Sequence, residues 1–232
     1  MHKPRQLRIA GYPNVRLTLR GQENIREKES TMKIQNPDLH DCNIITDLLY
    51  QSGPKVYDYL FTTKSKYSKD YIQHEYQTGK GICGYKNVLC FYDDNKIVGT
   101  CLFFNKKGYK KISLETLSNI LSFYSFFDII RILFRVLRLE TIMKSPRKNE
   151  IYLSNFSVNT DVRGKGFGSE LLRTVIRKYS DEGYKILGLD VETDNSRAKK
   201  LYNRIGFIDK KKKILSIDKK KYIEIIKMEI RL

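Results

Sequence analysis

"LSNFSVNTDVRGKGFGSELL", residues 153–172, runs an apolar segment into three closely spaced glycines and then into a helical pattern. Glycine loses more backbone freedom on folding than any other residue, so Gly164, Gly166 and Gly168 need a reason to sit together. Upstream, "EIYLSNFSV" (150–158) reads as a strand. Downstream, "GSELLRTVIRKYSDEG" places Leu171, Leu172, Val175, Ile176 and Tyr179 on one helical face, with Gly183 as its stop. A strand, a glycine loop and a helix make a ready anion site. Backbone N–H groups at a helix N-terminus are unpaired, point one way and carry partial positive charge. Arg163 and Lys165 add full charges to it. A loop that merely turns a corner has a similar composition, so the unit alone does not assign a function.

Two phosphate loops are excluded. The chain has no GxxxxGK[ST] pattern, and Ser169 or Leu171 stands where a third dinucleotide-binding glycine would fall. Arg163, Gly166 and Gly168 instead make R-x-x-G-x-G, the acetyl-CoA signature of the GNAT N-acetyltransferases. A second block, "LDVETDNSRAKKLYNRIGF" (189–207), also resembles that family, with Asn195, Ala198, Leu201, Tyr202, Gly206 and Phe207 in register. The closing "YIEIIKMEIRL" resembles its last strand. Two spaced blocks in the right order are far more specific than either alone.

This resemblance implies a mixed α/β fold, the GNAT acyltransferase fold, with a central, mostly antiparallel twisted sheet flanked by helices. It implies acetyl-CoA as co-substrate, an amine as acceptor, direct transfer in a ternary complex, and no metal. The amides around Gly164, Lys165, Gly166, Phe167, Gly168 and Ser169 would hold the pyrophosphate, with Arg163 beside them. Val158 would pair by backbone with the pantetheine arm, and backbone N–H near Phe156 would polarise the thioester carbonyl. Asn195 matches the family asparagine that contacts pantetheine or its phosphates, and it is equally a good helix N-cap.

Tyr202 occupies the family's general-acid position; a Tyr at helical spacing from Ala198 and Leu201 also suits a core. On "GLDVE" alternate residues share a face, so Asp190 and Glu192 point together. In some family members that acetylate protein N-termini, an acid at the place of Asp190 acts as base through water. Both acids also fit a solvated face or lysine partners. No acid follows Glu150 on the strand before the loop, so the glutamate that other members carry there is missing.

The 232 residues carry 44 Lys+Arg against 26 Asp+Glu, a formal charge of +18. That suits an anionic partner without choosing among nucleic acid, acidic membrane and phosphorylated ligand. A basic nucleic-acid- or membrane-surface-binding protein with a vestigial GNAT fold is therefore the rival reading, and a ribosome-associated role belongs with it. Cys42, Cys83, Cys90 and Cys101 show no CxxC pair, and only three histidines exist, which disfavours a zinc site. Reduced thiols and the lack of a signal-peptide pattern point to a cytoplasmic enzyme, monomeric or homodimeric.

Residues 1–31 lack periodicity and form an extension to a single domain spanning 32–232. From Met32 the chain reads as a short strand, Asp38 as a cap, and a helix through Tyr50. One or two helices follow over 54–79. A hairpin turns around Asp93, Asp94 and Asn95, and a helical insertion covers 105–148. After the two motif blocks comes a lysine-rich hairpin. Lys210–Lys213 and Lys219–Lys221 read most simply as solvated edge residues.

Within the insertion, residues 117–143 are too charged to span a membrane. They read as one amphipathic helix, with Arg131, Arg135 and Arg138 on one face. Ile130, Leu133, Phe134 and Leu137 lie on the other, which is expected to pack on the domain as a cap over the acceptor site.

Overall fold

Asp94 and Asn95 both take left-handed backbone angles (φ 46° and 64°), which closes a two-residue hairpin turn whose twist matches that of its strands. The strands it joins are β2 (Leu89–Asp93) and β3 (Lys96–Phe104). The computed structural model describes residues 33–232; the proposed extension, and Met32 as the domain start, lie outside them.

Ahead of the hairpin run β1 (Lys33–Gln35), α1 (Cys42–Gln51), α2 (Pro54–Phe61) and α3 (Ser68–Thr78). Asp38 caps the turn leading into α1, and its N–H bonds back to Asp41 Oδ2 at 2.9 Å. After the hairpin come α4 (Lys106–Phe123), α5 (Phe126–Leu139), β4 (Glu150–Val158), α6 (Phe167–Asp181) and β5 (Ile186–Glu192). The chain ends in α7 (Ser196–Ile205), β6 (Ile208–Ser216) and β7 (Tyr222–Arg231).

The seven strands form one sheet in the order β1-β2-β3-β4-β5-β7-β6. Every neighbouring pair is antiparallel except β4 and β5. The lysines of 210–213 fall on β6, the edge strand, where charge blocks pairing with other chains.

Both faces of the sheet are covered, so its central strands are buried on both sides. α6 and α7 bring Leu171, Leu172, Val175, Tyr179 and Tyr202 onto one face, against Phe103, Ile151, Leu187 and Met228. Each such side chain contributes about 1.5–3 kcal/mol when fully buried. The other face takes α1, α3, α4 and α5 through Ile45, Leu49, Ile72, Ile120 and Ile132. Cys83, Cys90 and Cys101 are fully buried, and desolvation pushes their thiols well above the ordinary range, so they are packing residues. All four cysteines are free.

The insertion corrects the sequence reading twice. It is two helices, broken at Tyr124, whose extended backbone ends α4 and whose hydroxyl bonds Phe61 O at 2.7 Å. And α5 is turned the other way. Ile132 is fully buried, and of the expected inward face only Leu133 is half-buried; Ile130, Phe134 and Leu137 are 52%, 61% and 65% exposed. Arg135 and Arg138 turn toward the protein because backbone acceptors meet them, while Arg131 stays exposed. Arg135 donates to the carbonyls of Thr62 (2.8 Å) and Leu60 (3.4 Å) at the C-terminal end of α2, where a cation is favoured. Arg138 donates to Ser216 O, and Asp128 is buried against Ser125 and Arg131. Among the described residues no helix is long and apolar enough to cross a membrane.

Candidate active site

β4 and β5 pair only over Glu150↔Ile186, Ile151↔Leu187 and Tyr152↔Gly188. Beyond that point β4 follows β3 as far as Val158↔Gly99, while β5 follows β7 to Glu192↔Ile225. The sheet therefore splits. A bulge helps: pairing jumps from Leu102↔Ser154 to Thr100↔Ser157, so Asn155 and Phe156 together face Cys101, with Asn155 at φ 52°. Asn159 N–H bonds Val98 O across β3, so strand alternation turns the Val158 and Phe156 amides toward the split.

The glycine loop closes one end of this opening. Gly164 and Gly166 sit at φ 83° and 91°, a conformation that side chains resist, and a Cβ at either would meet nothing within 4 Å. Gly168 has a different reason. A Cβ there would lie 3.1 Å from Leu201 Cδ2 and 3.4 Å from Val158 Cγ2, so this glycine lets α6 seat closely on α7 and β4. The amides of Gly166, Phe167 and Gly168 precede the first bonds of α6, which run from Ser169 and Glu170 to Gly166 O. Lys165 is exposed beside them. Arg163 is committed elsewhere: Nε donates to Val158 O and a terminal nitrogen to Gln51 Oε1, each at 3.0 Å. It braces the loop against β4 and α1. Ser169 Oγ is engaged by Arg204 at 2.8 Å.

A cavity of about 640 Å³ extends from the split to the far face of the sheet. Its lining brings together Phe156, Asn195, Ala198 and Tyr202 at the split with Asp190 and Glu192 of β5. Asn195 caps α7 through Oδ1, which accepts from Ala198 N at 3.1 Å, so any ligand contact falls to its amide nitrogen. Tyr202 is 5% exposed, its ring packed near Phe156 (6.2 Å) and Phe207 (5.6 Å). Desolvation raises its phenol, which stays protonated at any physiological pH.

Asp190 accepts from Tyr152 Oη at 2.7 Å through Oδ2, while its buried Oδ1 has no partner. Burial raises its carboxyl above the ordinary 3.8, with Tyr152, Lys213 and Lys227 opposing. Glu192 likewise has a buried Oε1 without a hydrogen bond; desolvation together with Asp194 raises its carboxyl, opposed by the Lys55 charge and by the backbone N–H groups of Val56 and Lys55 at the start of α2. The shared face predicted for these two acids is the observed one.

Sequence reasoning missed Tyr152. The signal was its place on β4, two residues short of the Asp190 register on a parallel neighbour. It also left Glu150 without a role. Burial works against that carboxylate, but the Arg147 backbone, Lys227 and the Arg147 side chain outweigh it and hold it below 4.5. Glu150 ties β4 to β7 away from the cavity.

A scan of family models matches the acetyltransferase (GNAT) family over residues 54–207. The chain belongs to that family and is an N-acetyltransferase. A search of curated proteins found no match. Among solved structures, one titled simply an acetyltransferase is similar at 21% identity and TM-score 0.57, covering 85% of this chain and 98% of its own. An N-acetyltransferase from Staphylococcus aureus Mu50 is similar at 17% identity and TM-score 0.58, covering 85% and 99%. Both share the fold.

Proposed function

We propose that the chain moves an acetyl group from acetyl-CoA to a primary amine by direct attack within a ternary complex, in a cytoplasmic setting. The observation that carries this reading is the continuous cavity joining the split, with its turned-in amides, to two buried acids with unpartnered oxygens. The amides of Gly166, Phe167 and Gly168, with Lys165, bind the pyrophosphate. Arg163 keeps the loop in shape for them. Val158 holds the pantetheine arm and Asn195 contacts it through its amide nitrogen. Phe156 N–H polarises the thioester carbonyl, where negative charge develops.

An alkyl ammonium has a pKa of about 10.4, so a base is needed near neutrality. Asp190 takes that proton, directly or through one water, with Tyr152 fixing its carboxylate. The N–C bond then forms as the C–S bond breaks, and Tyr202 donates a proton to the departing sulfur. A phenol is a weaker acid than a thiol, so this transfer belongs to a site in which the thiolate is equally desolvated. The second proton of the amine restores the phenol.

Isothermal titration should show acetyl-CoA binding, and Gly168→Trp should abolish it while leaving the protein folded, because its ring must displace Leu201 or Val158. Unchanged affinity in the folded variant would refute the loop assignment. Salt-sensitive RNA binding without affinity for acetyl-CoA would favour the rival, vestigial reading.

A further inference from the structure

The far part of the cavity is walled by the insertion and α2, and those walls are mostly apolar: Val56, Leu60, Leu117, Leu133, Val136 and Met143. The acids lie at its sheet end. Asp190 Oδ1 and Glu192 Oε1 are buried acceptors with no donor, and each such group left unmatched costs about 1–3 kcal/mol. Lys213 and Lys227 influence Asp190, and the Lys55 charge with the Val56 and Lys55 backbone N–H groups acts on Glu192, yet Asp190 Oδ1 and Glu192 Oε1 themselves stay without a hydrogen bond. An ammonium has three donors and no acceptor, which matches two carboxylate oxygens. Lys110, Glu140 and Lys144 are the other charged residues on the lining.

We propose that the acceptor is a single primary amine carried on an extended apolar body, an alkyl- or arylalkylamine. The head sits between Asp190 and Glu192, and the body lodges between α2, α4 and α5; this rests on the acetyl-transfer reading above. A peptide would bury amide groups against leucine and valine without partners. A polyamine would carry its second charge along this mostly apolar wall, where the one acid, Glu140, shares the lining with Lys110 and Lys144. Two carboxylates at the head would repel an anionic acceptor. The volume lies within the range that encloses drug-sized ligands, so the body is larger than a few carbons.

Thiol release from acetyl-CoA, followed with n-alkylamines from ethylamine to octylamine, tests this. Each buried methylene should raise kcat/KM by about fourfold, mostly through KM, until the cavity is full. Spermidine and an alanyl tetrapeptide should be poorer than octylamine by roughly a hundredfold. Leu133→Trp, which fills the wall, should cut the octylamine-to-butylamine ratio by roughly tenfold. Leu117→Phe should act in the same direction if the first variant does not fold.

Direct titration of acetyl-CoA separates the two failures. If acetyl-CoA does not bind, the transfer reading falls and this assignment with it. If it binds, and thiol is released with spermidine or the peptide while the alkyl series is flat, the acceptor assignment alone is wrong.

Discussion

Tyr202 and Asp190 line the same cavity, and the proposed mechanism gives them different tasks. The Tyr202 hydroxyl can be removed with little else disturbed, because the ring packing on Phe156 and Phe207 survives. Tyr202→Phe should leave acetyl-CoA affinity unchanged and slow the chemical step by about 10²–10⁴-fold, with the loss in kcat. Single-turnover kinetics would check it, and wild-type chemistry in the variant would make Tyr202 a packing residue. Asp190 must be ionised to work, and burial raises its carboxyl. Activity should therefore fall with decreasing pH through a midpoint above the usual aspartate value. Asp190→Asn should lose that limb and regain activity at high pH, as the amine deprotonates unaided. A pH–rate profile with an unaltered acidic limb in the variant would remove Asp190 as base.

Among the elements, α5 sets the sharpest test, because Ile130, Phe134 and Leu137 of its apolar stripe face outward. Phe134→Lys should change stability by no more than about 0.5 kcal/mol, whereas Ile132→Ala should cost about 2–5 kcal/mol. Denaturant titration of both variants measures the difference, and a large loss at Phe134 would contradict the observed orientation. The reason this face was illegible is physical. Which side of α5 lies inside depends on carbonyls at the end of α2, more than seventy residues away in sequence, accepting from Arg135. No local pattern carries that information. β4, α6, β5 and α7 were legible because their signals act within a few residues: alternation on β4, Gly166 entering α6, Asn195 capping α7, Gly206 ending it. The motif blocks likewise located the residues of the split. Gly168 was legible as necessary, and the structure adds close contact with Leu201 and Val158 to the reasons for it. Tyr152 was hidden because its meeting with Asp190 is set by the register of two strands far apart in the chain.

For the whole molecule, the split divides the sheet into two groups of strands. β1 to β4 lie on one side, and β5, β7 and β6 on the other, joined by three residue pairs and by Glu150, which receives Arg147 and Lys227. A ligand that enters the opening bridges both groups. At a hundred times its Kd, acetyl-CoA should stabilise the fold by about 2.7 kcal/mol, a rise in Tm of roughly 5–10 °C. A thermal melt with and without acetyl-CoA gives the value, and an unmoved Tm at saturation would contradict binding to the folded state alone. The bulge at Asn155 and Phe156 carries this further. With β5 gone from their side, the Phe156 and Val158 amides belong to a ladder that has lost its next rung. In the proposed function the pantetheine arm would be that rung, and the enzyme would finish its own sheet with its substrate. The apoprotein is then a book open at one page, and rigidity in this region arrives and leaves once per turnover. Amide hydrogen exchange at Phe156 and Val158 should be fast in the empty protein, slow in the acetyl-CoA complex, and fast again when the product departs.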